Sequence, residues 1–333
     1  MKKIIENWVH IPGIHCGSVT LRDVMTYYNY KWSEAMCFGI GGGLGFYYTI
    51  SEEMSPSHMI FVRGPEMETT FLSLIDKQTS WSHADNNTID TVKSFIDKDV
   101  PVVIQTDIFY LEYYNSNTHF PGHIVSVWGY DDEKQIMFVA DNHLPGLQEV
   151  PYNDFKEGMA SSDISNPLNN NFIDVMLNNV EINMEELIPE AIRENARKML
   201  FGCSGGRGES GVHKIKLWSH DLPNWKDVED WKWCARFSYQ VIKKRGVGGA
   251  GFRWIYRDFL REAETFTPII KELQLTDKMD HIGSKWSDIA MLLKEISEKD
   301  TPEPEFLNKA SIIAFELWEQ ETEFYTTVMD KID

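Results

Sequence analysis

Residues 122–141, GHIVSVWGYDDEKQIMFVAD, carry two apolar runs, 124–130 and 135–140, on either side of Asp131-Asp132-Glu133-Lys134. Two such runs joined by a short polar connection read as an antiparallel hairpin. With the turn centred between Asp132 and Glu133, position 123 faces about 142 and position 124 faces 141. His123, opening the first strand, is therefore expected beside Asp141 and Asn142, which close the second. A carboxylate next to an imidazole orients a general base.

Working upstream from the hairpin, 101–107 (PVVIQTD) reads as a strand and 87–98 as a helix with Ile89, Val92, Phe95 and Ile96 on one face. Strands are expected at 46–50 and 58–63, and the glycine-dense loop 39–46 follows a short helix at 33–38. In 16–30 (CGSVTLRDVMTYYNY), Val19, Leu21, Val24, Met25 and Tyr28 recur at helical spacing, with Arg22, Asp23 and Thr26 elsewhere on the wheel. Downstream, 151–178 is a polar loop ending in a strand at 172–178. Helices are expected at 184–200, 226–245, 251–273, 284–299 and 302–329, the last with Thr301 as N-cap and Pro302 at its first position. The sum is an α+β domain over 1–180 and a mainly α-helical domain over 181–333.

The 333 residues carry 32 Lys and Arg against 51 Asp and Glu, a net charge of −19. Like charge opposes association with nucleic acid or anionic lipid, so neither is an expected partner. The deficit is uneven, since residues 1–178 hold 10 basic and 23 acidic side chains. No run of about 18 apolar residues is present, which excludes a spanning helix. The start MKKIIENWVHIPGIHC has no apolar core and does not read as a signal peptide. Four scattered cysteines without a CxxC pair fit a reducing, cytoplasmic setting.

Cys16 stands at the expected start of a helix, where the dipole and free N–H groups favour thiolate, and the small residues Gly17 and Ser18 follow it. Cys, then His, then Asp is a chain order found in papain-like enzymes. The residues alone leave a buried structural cysteine open as the alternative.

His15-Cys16-Gly17-Ser18 running into a helix, FGIGGGLGF at 38–46 and GHIVSVWGYDDE at 122–133 resemble the butirosin-biosynthesis acyltransferase family. WCARFSYQVIKKRGVGGAGFRWIYRDFLREA, 233–263, resembles the helical domain that follows in that family. The resemblance implies a papain-like, C39 peptidase-like N-terminal domain with an antiparallel sheet and a nucleophile helix. It implies amide formation, with an acyl or aminoacyl group taken from the phosphopantetheine arm of a carrier protein and passed to an amine acceptor. That acceptor is a diamine, polyamine or aminoglycoside, and no cofactor is bound. Carried over, Cys16 is the nucleophile, His123 the acid and base, and Asp141 the orienting carboxylate. The glutamine that papain-like enzymes place about six residues before the cysteine is here His10, which makes His10, with Asn7, an oxyanion candidate.

Asp107 and Tyr110 are substrate-binding candidates for an ammonium group, against a turn-capping role. Gly42 and Gly43 could turn backbone N–H groups to the substrate, or serve a tight turn. Arg207 in the loop 202–211 could meet a phosphate. Lys244, Arg253 and Arg257, within a basic run including Lys243, Arg245 and Arg261, form the expected carrier-protein docking patch. Trp218, Trp225, Trp231 and Trp233 read as core, and the glutamates of the last helix as a solvated face. His119 and His123 are kept from a shared helix by Pro121 and Gly122, so no metal ligand set is expected. A cysteine peptidase or amidase with the same residues, and a non-catalytic binding module, remain the alternatives, and homodimer formation is left open.

Overall fold

The structure is a computed structural model describing residues 1–332 except 76–79, 86, 163–166, 178–179 and 203–208. In chain order it begins β1 (Lys2–Ile4), α1 (Cys16–Tyr27), α2 (Glu34–Ile40), β2 (Leu44–Ile50), β3 (His58–Arg63) and α3 (Met67–Ile75). It continues β4 (Ser82–His83), α4 (Thr88–Ile96), β5 (Val102–Asp107), β6 (Pro121–Asp131), β7 (Ile136–Ala140), β8 (Leu147–Pro151), α5 (Tyr152–Met159) and β9 (Asn171–Asp174). Helices follow: α6 (Met184–Phe201), α7 (Val212–Asp221), α8 (Trp231–Lys243), α9 (Arg253–Ala263), α10 (Ile269–Glu272), α11 (Leu275–Glu298) and α12 (Pro304–Lys331). The class is α+β.

The chain forms two compact units, Met1–Cys37 with Ile75–Glu181, and Phe38–Leu74 with Ile182–Asp333. The second unit resumes at Ile182, next to the expected boundary, but the β2–β3 hairpin clusters with the C-terminal helices rather than with the N-terminal domain. The reason is aromatic packing: Phe46 of β2 lies 5.6 Å from Trp218 and 5.5 Å from Trp286 between ring centroids.

In the first unit an antiparallel sheet runs β4-β9-β5-β6-β7-β8, with β1 also on β6. β5 pairs β6 as far as Val127, and β1 takes over from Gly129 to Asp131. Gly129 is required there, because a Cβ would stand 2.5 Å from the Lys3 carbonyl oxygen. The β6–β7 hairpin pairs Asp131 with Ile136 and Ser126 with Ala140, with a bulge between Val127 and Gly129. The four-residue turn lies one position further along than expected, 132–135 instead of 131–134, which displaces the register by two, and the bulge returns one of these, leaving a net shift of one residue. Asp141 therefore comes opposite Val125, and His123 reaches it diagonally across the strands.

α1 is buried on both sides from Gly17 to Met25. Arg22 and Asp23, which fall elsewhere on the wheel than the apolar positions, lie beneath the segment that leads into the helix. Arg22 Nη2 donates to Asp23 Oδ1 at 2.7 Å and also to the Ile11 carbonyl, so the charges are spent on anchoring that segment.

In the second unit the core is built on fully buried Trp218, Trp225 and Trp286, with Trp218 and Trp286 stacked at 6.0 Å. Trp231 and Trp233 are not part of it, Trp233 being 36% exposed. Arg253 is buried and forms a bidentate pair with Glu321 at 2.9 Å, while Trp286 Nε1 donates to Glu321 at 2.6 Å. Glu321 thus departs from the solvated face expected of α12. The last helix starts at Pro304 with Glu303 as its cap, two residues later than expected. Among the described residues no helix is long and apolar enough to cross a membrane.

Candidate active site

Cys16 is the first residue of α1 and is half-buried. His15 is the N-cap, in extended conformation, and its Nδ1 accepts from Ser18 N at 3.2 Å. The cap uses the ring that could have served as a rival base. Glu34 of α2 grips the same loop: its carboxylate accepts from Ile14 N at 3.0 Å, His15 N at 2.7 Å and Ser18 Oγ at 3.2 Å. On the other side Asn142 donates from Nδ2 to the Ile14 carbonyl at 3.2 Å and accepts from Gly13 N at 2.6 Å. The thiol is presented by backbone held from two elements.

His123 pairs with Thr106 of β5 and is buried. Its Nε2 donates to Asp141 Oδ1 at 2.8 Å, and it shares a hydrogen bond with the Cys16 thiol. Asp141 is fully buried and accepts from Tyr113 Oη at 2.8 Å, Tyr114 Oη at 3.1 Å and Asn142 N at 2.7 Å. Tyr114 Oη also lies 3.3 Å from His123 Nε2.

Burial disfavours charge on His123, yet the charge and hydrogen bond of Asp141, with Cys16 adding to both, push it up to about 10. Burial likewise works against an ionised Asp141, but His123 and the two tyrosine hydroxyls hold it below the usual carboxylate range. Burial, and then the Asp141 charge, raise both Tyr113 and Tyr114, which stay protonated donors. A protonated imidazole beside a thiol is the neighbour that favours thiolate.

The remaining candidates separate from this cluster. His10 places Nδ1 2.5 Å from Asp23 Oδ2 and Nε2 2.9 Å from the Leu144 carbonyl. Burial lowers its pKa, but the Asp23 bond and charge and the Leu144 bond outweigh it, so both nitrogens donate and neither N–H is left for an oxyanion. Asn7, at positive φ, lines a depression with Tyr27 and Tyr28 at the far end of α1, some ~17 Å along the axis from Cys16 at 1.5 Å per residue.

Asp107 takes the capping role. Its buried carboxylate accepts from Phe109 N at 3.0 Å, Phe120 N at 2.8 Å, Ser161 Oγ at 2.8 Å and His119 Nδ1 at 2.7 Å. No acceptor is spared for an ammonium group. Tyr110 is half-buried, its ring 6.0 Å from that of His119. Gly42 and Gly43 fall in the second unit, where Gly42 has φ +60 and a Cβ on Gly43 would strike the Phe38 ring at 2.4 Å; turn and packing account for both.

Of the docking patch, Arg253 is wholly buried in its pair with Glu321 and presents nothing to a partner. Arg257 is tied to Asp258 at 2.8 Å and Asp280 at 2.6 Å, and Lys244 is exposed. Acidic neighbours on α9 and α11 offset the basic run. Arg207 lies outside the described residues.

Tyr113, Tyr114 and Glu34 are the site residues that sequence reading did not name. The signal for the tyrosines was a Tyr-Tyr pair between β5 and His123, within reach of any carboxylate behind that histidine.

A helix-initiating thiol, an imidazole touching it and a carboxylate behind the imidazole define a cysteine–histidine–aspartate site on an α+β scaffold. Residues 15–142, which include all three, match the family described as Butirosin biosynthesis protein H, N-terminal, and residues 153–328 match a domain of unknown function (DUF4872). Residues 15–142 thus carry the N-terminal domain of the butirosin biosynthesis protein H family, and the name of that family ties the domain to antibiotic biosynthesis. No curated protein matches the chain.

Proposed function

We propose that the chain is an amide-forming acyltransferase with a papain-like N-terminal unit. The observation that carries the reading is His123, held between Cys16 and Asp141 inside the region matching butirosin biosynthesis protein H. Cys16 thiolate attacks the thioester of an acyl group on the phosphopantetheine arm of a carrier protein. The imidazolium of His123 protonates the departing thiol, leaving an acyl thioester on Cys16 and a neutral imidazole. A neutral amine then attacks that thioester, its proton passes to His123, and the amide leaves as Cys16 thiolate returns. Thioester exchange is nearly isoenergetic and aminolysis is downhill, so no nucleotide is needed.

The test is incubation with an acyl-pantetheine thioester followed by intact-mass spectrometry. Wild type gains one acyl mass on Cys16, Cys16→Ala gains none, and added diamine or aminoglycoside discharges the adduct as amide. Discharge as free acid at a rate indifferent to amine supports instead a hydrolase with the same three residues. No adduct with any thioester removes both readings.

A further inference from the structure

The second unit holds a cluster that the acyl-transfer reading does not use. His58 opens β3, Asp230 precedes α8, and Cys234 lies one turn into it; their donor atoms all fall within 4.8 Å of one another. Asp230 occupies the N-cap position but its side chain makes no cap hydrogen bond, although capping is the ordinary use of an aspartate there. Its oxygens turn inward, one accepting from Ser57 N at 2.7 Å, the other lying 2.5 Å from Ser57 Oγ and 3.3 Å from Cys234 Sγ.

Ser57 Oγ sits amid the cluster, also 2.8 Å from His58 Nδ1 and 3.7 Å from Cys234 Sγ. The other ring nitrogen, His58 Nε2, faces Asp221 Oδ2 at 3.6 Å, and Asp221 is itself fixed by Tyr48 Oη at 2.5 Å and Trp225 Nε1 at 3.3 Å. A carboxylate on the outer nitrogen is the arrangement that fixes the tautomer of a metal-ligating histidine. With the ring proton on the Asp221 side, Nδ1 presents a lone pair to the cluster. The Ser57 hydroxyl then has one proton for two close acceptors, His58 Nδ1 and Asp230 Oδ1. A cation among them answers every lone pair at once.

We propose that His58 Nδ1, Asp230 Oδ1 and Cys234 Sγ form a site for zinc or a similar divalent transition metal, with the Ser57 hydroxyl or water as fourth ligand. A mixed nitrogen, sulfur and oxygen set suits zinc and disfavours magnesium and calcium, which take oxygen. Bonds of about 2.0–2.3 Å set tetrahedral donors about 3.3–3.6 Å apart. Asp230 Oδ1 and Cys234 Sγ, at 3.3 Å, already fit, His58 closes in from within 4.8 Å, and the Ser57 hydroxyl, 2.5 and 2.8 Å from its neighbours, swings outward, each by side-chain rotation. Binding replaces the Cys234 thiol proton, which passes to solvent, and the ion ties the β2–β3 hairpin to α8.

The test uses full-length protein carrying Cys16→Ala and Cys203→Ser, which leaves Cys37 and Cys234 as the thiols, freed of metal with chelator and titrated with Co²⁺. One equivalent per chain is expected, with a thiolate-to-cobalt charge-transfer band that Zn²⁺ abolishes. Cys234→Ser and His58→Ala lose the band, and Asp221→Asn weakens Co²⁺ binding about 10- to 100-fold, as outer-shell changes do. Should those variants fail to fold, the zinc K-edge spectrum of the parent decides, showing one sulfur neighbour at about 2.3 Å. Absence of the band at saturating Co²⁺, its persistence in folded Cys234→Ser, or a zinc shell without sulfur overturns the proposal.

Discussion

At Asp141 a single carboxylate receives His123, Tyr113, Tyr114 and its neighbour's backbone N–H, so its charge does two jobs. It orients the imidazole and keeps it protonated. Asparagine can do the first and not the second. Asp141→Asn is therefore expected to slow Cys16 acylation about 10- to 100-fold, the loss of one charge-assisted bond, while Cys16→Ala and His123→Ala fall to background. Acylation needs the imidazolium, so the alkaline limb of its pH profile should move to lower pH in Asp141→Asn; a limb that stays put denies the charge role. Stability follows the same signs. The raised His123 contributes fully below its ordinary 6.5 and loses that contribution as pH climbs through the raised value. The lowered Asp141 contributes above its ordinary 3.8 and loses it as pH falls through the lowered one. The urea midpoint of wild type should thus exceed that of Asp141→Asn most between those two ordinary values, with the margin shrinking toward about pH 10.

At the scale of elements, the nucleophile depends on how the loop before α1 is held. Glu34 satisfies two of its backbone N–H groups and the Ser18 hydroxyl. Glu34→Ala should lower the rate of Cys16 alkylation by iodoacetamide at least tenfold and cost about 1–3 kcal/mol in urea unfolding, the penalty for orphaned donors. Unchanged alkylation would show that the loop is held without it. The hairpin and the helix start at Cys16 were legible because alternation and helical spacing are local, and the hairpin sufficed to bring His123 and Asp141 together, whereas Cys16 joined them only through chain order and the family resemblance. The offset of the turn and the bulge at Trp128 were not legible, since no residue type demands either; the first moved the register by two and the second returned one. Glu34, Tyr113 and Tyr114 were not legible either, because each acts on a residue far along the chain. Local reading also ran past α3, α5 and α7, short helices bounded by polar or glycine-rich segments. His10 and Asp107 looked available only because their partners, Asp23, Leu144, Ser161 and His119, could not be placed from the sequence.

Across the molecule, charge acts in two ways. Inside the second unit it specifies packing: Arg253 was read as a docking residue from its place in a basic run, yet Glu321, 68 residues on, takes it into the core. Arg253→Met leaves that glutamate buried without its counter-charge and should cost about 3–5 kcal/mol, with part recovered in Arg253→Met/Glu321→Gln. A loss below 1 kcal/mol in the single variant would mean that water reaches the pair. On the outside, charge acts at range. The first unit, residues 1–37 and 75–181, holds 20 acidic side chains against 9 basic ones, of which Asp23, Asp107, Asp131 and Asp141 are buried, and it contains the whole Cys16–His123–Asp141 cluster. Under the proposed acyl transfer, such a field would concentrate a cationic acceptor around the thioester and, by the same sign, hold the amine protonated and unable to attack. His123 must then receive a proton that the field opposes releasing, so capture gains and chemistry loses. Salt screens both effects over about 10 Å at 0.1 M, but the capture of a multiply charged acceptor falls faster because each charge contributes. Raising salt should therefore increase the apparent KM for a polyamine or aminoglycoside several-fold, while kcat holds or rises slightly. A neutral-bodied monoamine should show a much weaker dependence. Equal salt responses for the two acceptors would remove the steering role and leave the negative charge to solubility alone.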